Sequence, residues 1–304
     1  AEETETVNPV DAGTYEIRVT VKVGTIYNEA TLTVGLLTIN KIDQEVPTVS
    51  VTPNTVKMTA SDMPVVEVSN EANAKGTVRY TLDTESAKVI TINETTGEIT
   101  RLLKAGTATI KVTFGSTNNY NETTAEVNLT VELDELVAED FNVTNNTYDF
   151  AEETERTATV EAKEGITGYG EMKVSYYKVV DGTAEETETV NPVDAGTYEI
   201  RVTVTGGANY KAGTIAEVGV LTINKVDQEV PSVAVTPNTV KMTASDMPVV
   251  EVANKANAKG TVSYSLDEES AKVIAINETT GEITSLLKAG TATIKVTFGS
   301  TNNY

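Results

Sequence analysis

Carboxylates are the side chains of this sequence with the numbers and spacing to suggest chemistry. Glu152, Glu153 and Glu155 stand close enough to be imagined as the paired acids of a glycoside-cleaving site. No cleft signature accompanies them, and the run reads instead as a solvated turn. A second group, Glu132, Asp134, Glu135, Glu139 and Asp140, gathers at a junction between strand-rich segments. Hard oxygen ligands of this kind could hold calcium and clamp two domains, but no EF-hand spacing or repeated DxD pattern is present. The alternatives are a calcium-stiffened joint and a solvated linker.

Aromatic side chains offer a different chemistry. Tyr169, Tyr177 and Tyr210 are the candidates for stacking on a sugar, against the ordinary reading of Tyr as packing at a sheet edge. Tyr176 and Tyr177 are neighbours on an expected strand, so one of them must point away from the core. Gly168-Tyr169-Gly170 reads as a turn and not a phosphate loop, since no strand-to-helix pattern surrounds it. Asn93, Asn121, Asn128, Asn142, Asn145 and Asn277 begin Asn-x-Thr triplets, which a chain rich in Asn and Thr produces by chance.

The missing residue types restrict function further. There is no Cys, hence no disulfide, thiolate metal site or thiol nucleophile, and no His, the commonest general base. Trp is absent too. The 23 basic and 45 acidic residues leave a net charge of −22, which repels phosphate backbones and anionic lipids. Nucleic acid is therefore not an expected partner. No apolar run reaches the roughly 18 to 20 residues of a membrane-spanning helix, and any export signal or anchor is expected outside this segment. The chain reads as no enzyme, with no catalytic, cofactor-binding or metal-binding residue and no cofactor.

The elements that carry these residues follow from period-two alternation. Ala108, Ile110, Val112 and Phe114 share one face of a predicted strand, while Thr107, Thr109, Lys111 and Thr113 share the other. Val127, Leu129, Val131 and Leu133 form a second inward row, and Tyr15, Ile17, Val19 and Val21 a third. No segment sustains a helical period, so the chain is expected to be all-β.

The sequence is also written twice. Residues 1–21 return unchanged at 184–204, and 69 of the 79 residues in 42–120 recur in 226–304. Differences such as Glu71/Lys255, Arg79/Ser263, Thr81/Ser265 and Arg101/Ser285 exchange polar residues, as solvent-facing positions permit. Punctuation by TINKIDQEVP and TINKVDQEVP places domains at 1–41, 42–133, 134–225 and 226–304, alternating as types A, B, A, B. By internal comparison the first A copy lacks a counterpart of 134–183, and the last B copy lacks a counterpart of 121–133. A sandwich short of half a sheet exposes apolar rows and open edges. Either the sequence is a window onto a longer repeat protein, or neighbouring molecules supply strands by β-augmentation.

Asp11-Ala12-Gly13-Thr14-Tyr15-Glu16-Ile17 and its copy at 194–200 resemble the corner of immunoglobulin-type sandwiches, where a Tyr hydroxyl ties back to the preceding turn. KVITINETTGEIT (88–100) and AGTATIKVTF (105–114) make type B similar to bacterial immunoglobulin-like group 2 domains. Val174-Ser175-Tyr176, NPVDAGTY (191–198), Ala208-Asn209-Tyr210 and LTINK (221–225) make type A similar to the MBG repeats of bacterial surface proteins. The resemblance implies tandem immunoglobulin-like β-sandwich domains in an extended array. The expected function is that of a structural segment of a bacterial extracellular fibre, stalk or filament at the cell surface, with copies of itself as partners. The alternatives are an adhesin whose domains bind glycan or host protein, and accessory domains of an exported enzyme.

Overall fold

The computed structural model describes residues 8–304; residues 1–7, the start of the expected first domain, lie outside the described residues. Among the described residues there are strands, turns and single-turn 3-10 helices, and no α-helix. The chain is all-β and forms tandem immunoglobulin-like β-sandwiches, as the alternating pattern requires. It divides into two compact units, one comprising Ala1–Leu136, Thr167–Glu171 and Val204–Gly213, the other Val137–Ile166, Met172–Thr203 and Thr214–Tyr304.

In the first unit, β1 (Gly13–Val21) and β2 (Ala30–Ile39) form a hairpin with a bulge between Ile17 and Arg18. The row expected to face a core is not buried: Ile17 is 45% and Val19 49% exposed, and Leu32, Val34 and Leu36 on β2 are open as well. Two strands have one apolar face and nothing laid over it, so the inward assignment fails here for want of a second layer. A short β3 (Ile42–Asp43) then leads into a complete sandwich.

That sandwich has one four-stranded sheet, ordered β5 (Thr55–Lys57), β12 (Thr123–Glu132), β10 (Gly106–Phe114), β7 (Val78–Leu82). Against it lie the pairs β4 (Val49–Thr52) with β6 (Val65–Val68) and β8 (Ile90–Ile92) with β9 (Ile99–Leu102). Ala108, Ile110, Val112 and Phe114 are fully buried, as their alternation predicts, and the first three share a core with Leu129 and Val131 from β12. Val51, Ile90 and Ile99 close the core from the other side, and Val56 joins it from β5 of the same sheet. The turn at Gly97 has φ 74°, and a Cβ there would come within 2.6 Å of the Tyr80 ring, so only glycine fits over this buried tyrosine. Gly281 and Tyr264 repeat the arrangement. Finally β11 (Tyr120–Asn121) pairs in parallel with β3.

In the second unit, β13 (Phe141–Thr144) pairs with β15 (Thr159–Ala162). A five-stranded sheet runs β14 (Thr147–Asp149), β19 (Gly213–Asn224), β18 (Gly196–Val204), β16 (Met172–Val180), β17 (Thr183–Ala184). Strand β18 has the same sequence as β1 and the opposite environment: Tyr198, Ile200 and Val202 are buried to 1% exposure or less. Layering explains the contrast. A Cβ added to Gly219 of β19 would meet the Val143 side chain of β13 at 2.9 Å, whereas one added to the equivalent Gly35 would meet nothing within 4 Å. The expected corner is present in both copies, with the Tyr198 hydroxyl donating to the Asp194 carbonyl and Tyr15 to Asp11, each at 2.8 Å. Burial, then the nearby Asp194 charge, holds the Tyr198 phenol above its ordinary pKa.

The last part of the unit repeats the complete sandwich of the first unit in reduced form: β20 (Val233–Thr236) with β21 (Val249–Val252), β22 (Val262–Leu266) with β25 (Ile294–Phe298), and β23 (Ile274–Ile276) with β24 (Ile283–Leu286).

Two measurements check this layering. Gly219→Ala overpacks a rigid contact with Val143 and is expected to lower stability by about 1 to 3 kcal/mol in denaturant unfolding, while Gly35→Ala stays within about 0.5 kcal/mol. Tyr198→Phe removes a partly buried hydrogen bond and is expected to cost about 1 kcal/mol; no loss in thermal or denaturant melts would refute the corner's contribution.

Candidate functional site

What both units build in the same way is a polar joint between a type A corner and a type B turn. The segment Gly115–Tyr120 (GSTNNY) folds back because the Thr117 hydroxyl accepts the backbone N–H groups of Asn119 and Tyr120, at 3.3 and 3.1 Å. This turn presents the Asn119 side chain to the corner. Its Oδ1 accepts the Ala12 N–H at 2.6 Å and its Nδ2 donates to Asp11 Oδ1 at 2.7 Å. The connecting chain is tied to the same turn: Lys41 Nζ donates to the Thr117 carbonyl at 2.7 Å, and the Ile42 N–H to the Asn119 carbonyl at 2.8 Å. Beneath it, the buried Gln44 donates to the carbonyls of Phe114, Gly115 and Asn121 and accepts the Lys75 N–H. A buried amide with all these partners stitches the linker to the sandwich.

The second unit reproduces the arrangement. Asn303 accepts the Ala195 N–H at 2.8 Å and donates to Asp194 at 2.9 Å, and Lys225 donates to the Thr301 carbonyl. The Gln228 amide donates to the Phe298 and Gly299 carbonyls. A brace is added here: Glu152 Oε1 accepts from Lys259 Nζ at 2.7 Å and from the Tyr304 hydroxyl at 2.8 Å, and Phe150 meets the Tyr304 ring edge-on at 5.3 Å. Hydrogen bonds from Lys259 and then Tyr304 hold the Glu152 carboxyl below its usual range. The same contacts with Glu152 raise both Lys259 and Tyr304. Around the equivalent Lys75 and Tyr120 of the first unit there is instead an open cleft of about 470 Å³.

The acidic cluster of the junction disperses into separate contacts. Glu132 pairs with Lys57 at 3.0 Å, Glu135 with Lys211 at 2.7 Å, and Asp134 accepts the Thr59 hydroxyl. The Thr59 bond is the first cause holding the Asp134 carboxyl below its ordinary pKa. Asp134 also exchanges backbone hydrogen bonds with the 209–211 segment, donating to the Asn209 carbonyl and accepting from the Lys211 N–H. Asp140 instead accepts the Val137 N–H. Among the described residues no three acidic side chains converge as metal ligands would.

The other candidates are also placed. Glu152 serves the brace and Glu155 accepts from Asn191, so with Glu153 they form no acid pair. Tyr176 is buried and donates to the Ala158 carbonyl, while Tyr177 turns outward beneath the Arg201 guanidinium, 3.9 Å from its ring centre. Tyr210 is buried and Tyr169 half-buried, on a loop whose Gly168 and Gly170 both have positive φ. Asn93 and Asn277 cap turns through their side chains, and Asn128 accepts the Thr109 hydroxyl. Asn119, Asn303, Gln44, Gln228 and Lys259 were not singled out from sequence. Their one signal was recurrence of GSTNNY, DQEVP and, for Lys259, ANAKG in both copies, which every neighbouring turn shares.

No family model matches the chain, and no curated protein matches it. Among solved structures it is similar to human protocadherin-24 EC1-2 (16% identity, 60% of this chain and 99% of that one, TM-score 0.25). It is also similar to the surface layer protein SbsC, domains 1-6 (17% identity, 96% of this chain and 44% of that one, TM-score 0.26). The chain thus spans less than half of the SbsC structure, and the architecture described above rests on the sheets themselves.

The joint is checked by amide exchange. Asn303→Ala removes the acceptor of the Ala195 N–H, so exchange at Ala195 is expected to accelerate about tenfold or more, equivalent to about 1.4 kcal/mol. Unchanged protection there would show that the side chain does not hold the corner.

Proposed function

We propose that this chain is a structural repeat segment of a bacterial extracellular fibre, stalk or filament at the cell surface. In this reading MBG-like domains at 1–41 and 134–225 alternate with bacterial immunoglobulin-like group 2 domains at 42–133 and 226–304 in an extended array. The chain is not an enzyme, and its product is reach. The observation that carries the proposal is the duplicated joint, in which Asn119 and Asn303 grip the same corner residues at nearly the same distances. A module that brings its own connection lengthens an array with each copy and needs no new chemistry.

The pattern of substitutions supports the same reading. Glu71, Arg79, Thr81 and Arg101, which change between the B copies, are exposed or half-buried, while the fully buried Ile90, Ala108, Ile110 and Val112 are kept as Ile274, Ala292, Ile294 and Val296. Under tension, ladders of backbone hydrogen bonds carry the load and the corner tyrosines pin strand to turn. The net charge of −22 keeps such a surface solvated.

Small-angle scattering tests the array. Four domains in line, each about 30 to 40 Å long for strands rising ~3.3 Å per residue, give a longest dimension of roughly 120 to 160 Å. A radius of gyration near the ~19 Å of a compact chain of this length would overturn the proposal.

A further inference from the structure

The joint of the second unit has two points of attachment that differ in chemistry. At the first, the uncharged Asn303 amide holds Asp194 and Ala195. At the second, one oxygen of the Glu152 carboxylate takes both the Lys259 ammonium and the Tyr304 hydroxyl, and Phe150 packs edge-on against the Tyr304 ring. Lys259 Nζ also lies 5.5 Å from the centre of that ring, so the second point is a single ionic and aromatic cluster.

Each side of the joint is tied together internally. On one side the loop 150–156 is mounted on the corner: the Arg156 N–H donates to the Pro192 carbonyl at 2.8 Å and Asn191 Nδ2 to Glu155 at 2.8 Å. The Arg156 guanidinium sits 4.9 Å from the centre of the Tyr148 ring and donates to the Asp149 carbonyl, and the Thr154 N–H bonds back to the Ala151 carbonyl at 3.2 Å. Glu152 therefore projects from a turn fastened at both ends. On the other side the Gln228 amide accepts the Lys259 N–H at 3.1 Å while donating to the Phe298 and Gly299 carbonyls. A Cβ on Gly260 would collide with the Gly299 carbonyl oxygen, so the Lys259 turn lies directly on the turn that carries Asn303 and Tyr304. Two such bodies joined at one point can rotate about it, and a second point stops the rotation.

We propose that Glu152 is a releasable latch: ionised, it holds the two domains of this unit in one orientation, and protonated, it lets them swivel about the Asn303 contact. The charged and titratable groups facing it are Lys259 and Tyr304; Glu153 and Glu155 stand on its own loop, and Asp194 is the carboxylate at the other point. The bond from Lys259, then that from Tyr304, holds the Glu152 carboxyl below its usual range. The latch is thus closed at neutral pH, and its contribution is lost only as pH falls below the ordinary glutamate value of about 4.3 and through the lowered one. Both Glu152 and Lys259 are open to solvent, so salt reaches the pair as well. The latch operates whether or not the chain serves in a fibre.

The chain has no Cys, which allows a unique pair of spin labels in the full 304-residue protein at Thr183→Cys and Thr279→Cys, exposed positions on the two sides of the joint. Pulsed electron paramagnetic resonance is expected to give a narrow distance distribution at about pH 7 that broadens about twofold or more at about pH 3, with the far-ultraviolet circular dichroism of the sheets retained. Glu152→Ala is expected to give the broad distribution at both pH values, and its neutral-pH result decides the matter even if acid unfolds the chain. A broad distribution in the parent protein at neutral pH, a narrow one in Glu152→Ala, or an acid response undiminished in that variant, which would point to Asp194, would each overturn the assignment. The width of this distribution is independent of the overall length that scattering measures.

Discussion

An amphipathic strand pattern buries a residue only where a second layer exists to cover it. The nine residues GTYEIRVTV occur as β1 and as β18, identical in every position. In β18 the apolar row is buried; in β1 the same row lies open. Alternation thus states a capacity for burial, and the remaining strands decide whether it is used. The same constraint governs type B, where β12 closes the core of the first copy.

The joints follow a different physics from the cores. Their contacts are amide, carbonyl and carboxylate groups at 2.6 to 2.9 Å, set by a Thr-stabilised turn and a corner held by its own tyrosine. Individually such bonds contribute about 1 kcal/mol, but they have direction, which apolar burial lacks. Repeating them in each unit fixes how a corner meets the following turn. The exposed Glu152–Lys259–Tyr304 brace adds alignment more than strength, because exposed ion pairs are screened.

Charged clusters that stood out along the chain dissolved in three dimensions. Glu132, Asp134 and Glu135 are near neighbours in sequence, yet each turns to a different partner, Lys57, Thr59 and Lys211. Adjacent residues on extended backbone point in opposite directions, so proximity along a strand works against convergence. Asn119 and Asp11, by contrast, lie 108 positions apart and touch. No local pattern marks such a pair, since Asn in a polar turn is ordinary until the turn's position in space is known.

By itself the sequence determined the all-β class, the inward rows at 108–114 and 127–131, the tyrosine corner and the outward turn of one of Tyr176 and Tyr177. These are consequences of period two and of short-range geometry, which are carried by neighbouring residues. Only the tertiary structure decided that identical strands differ in burial and that Asn119 and Asn303 make the joints. Those depend on which layers and edges are present around a segment, information distributed over strands that are distant in the chain.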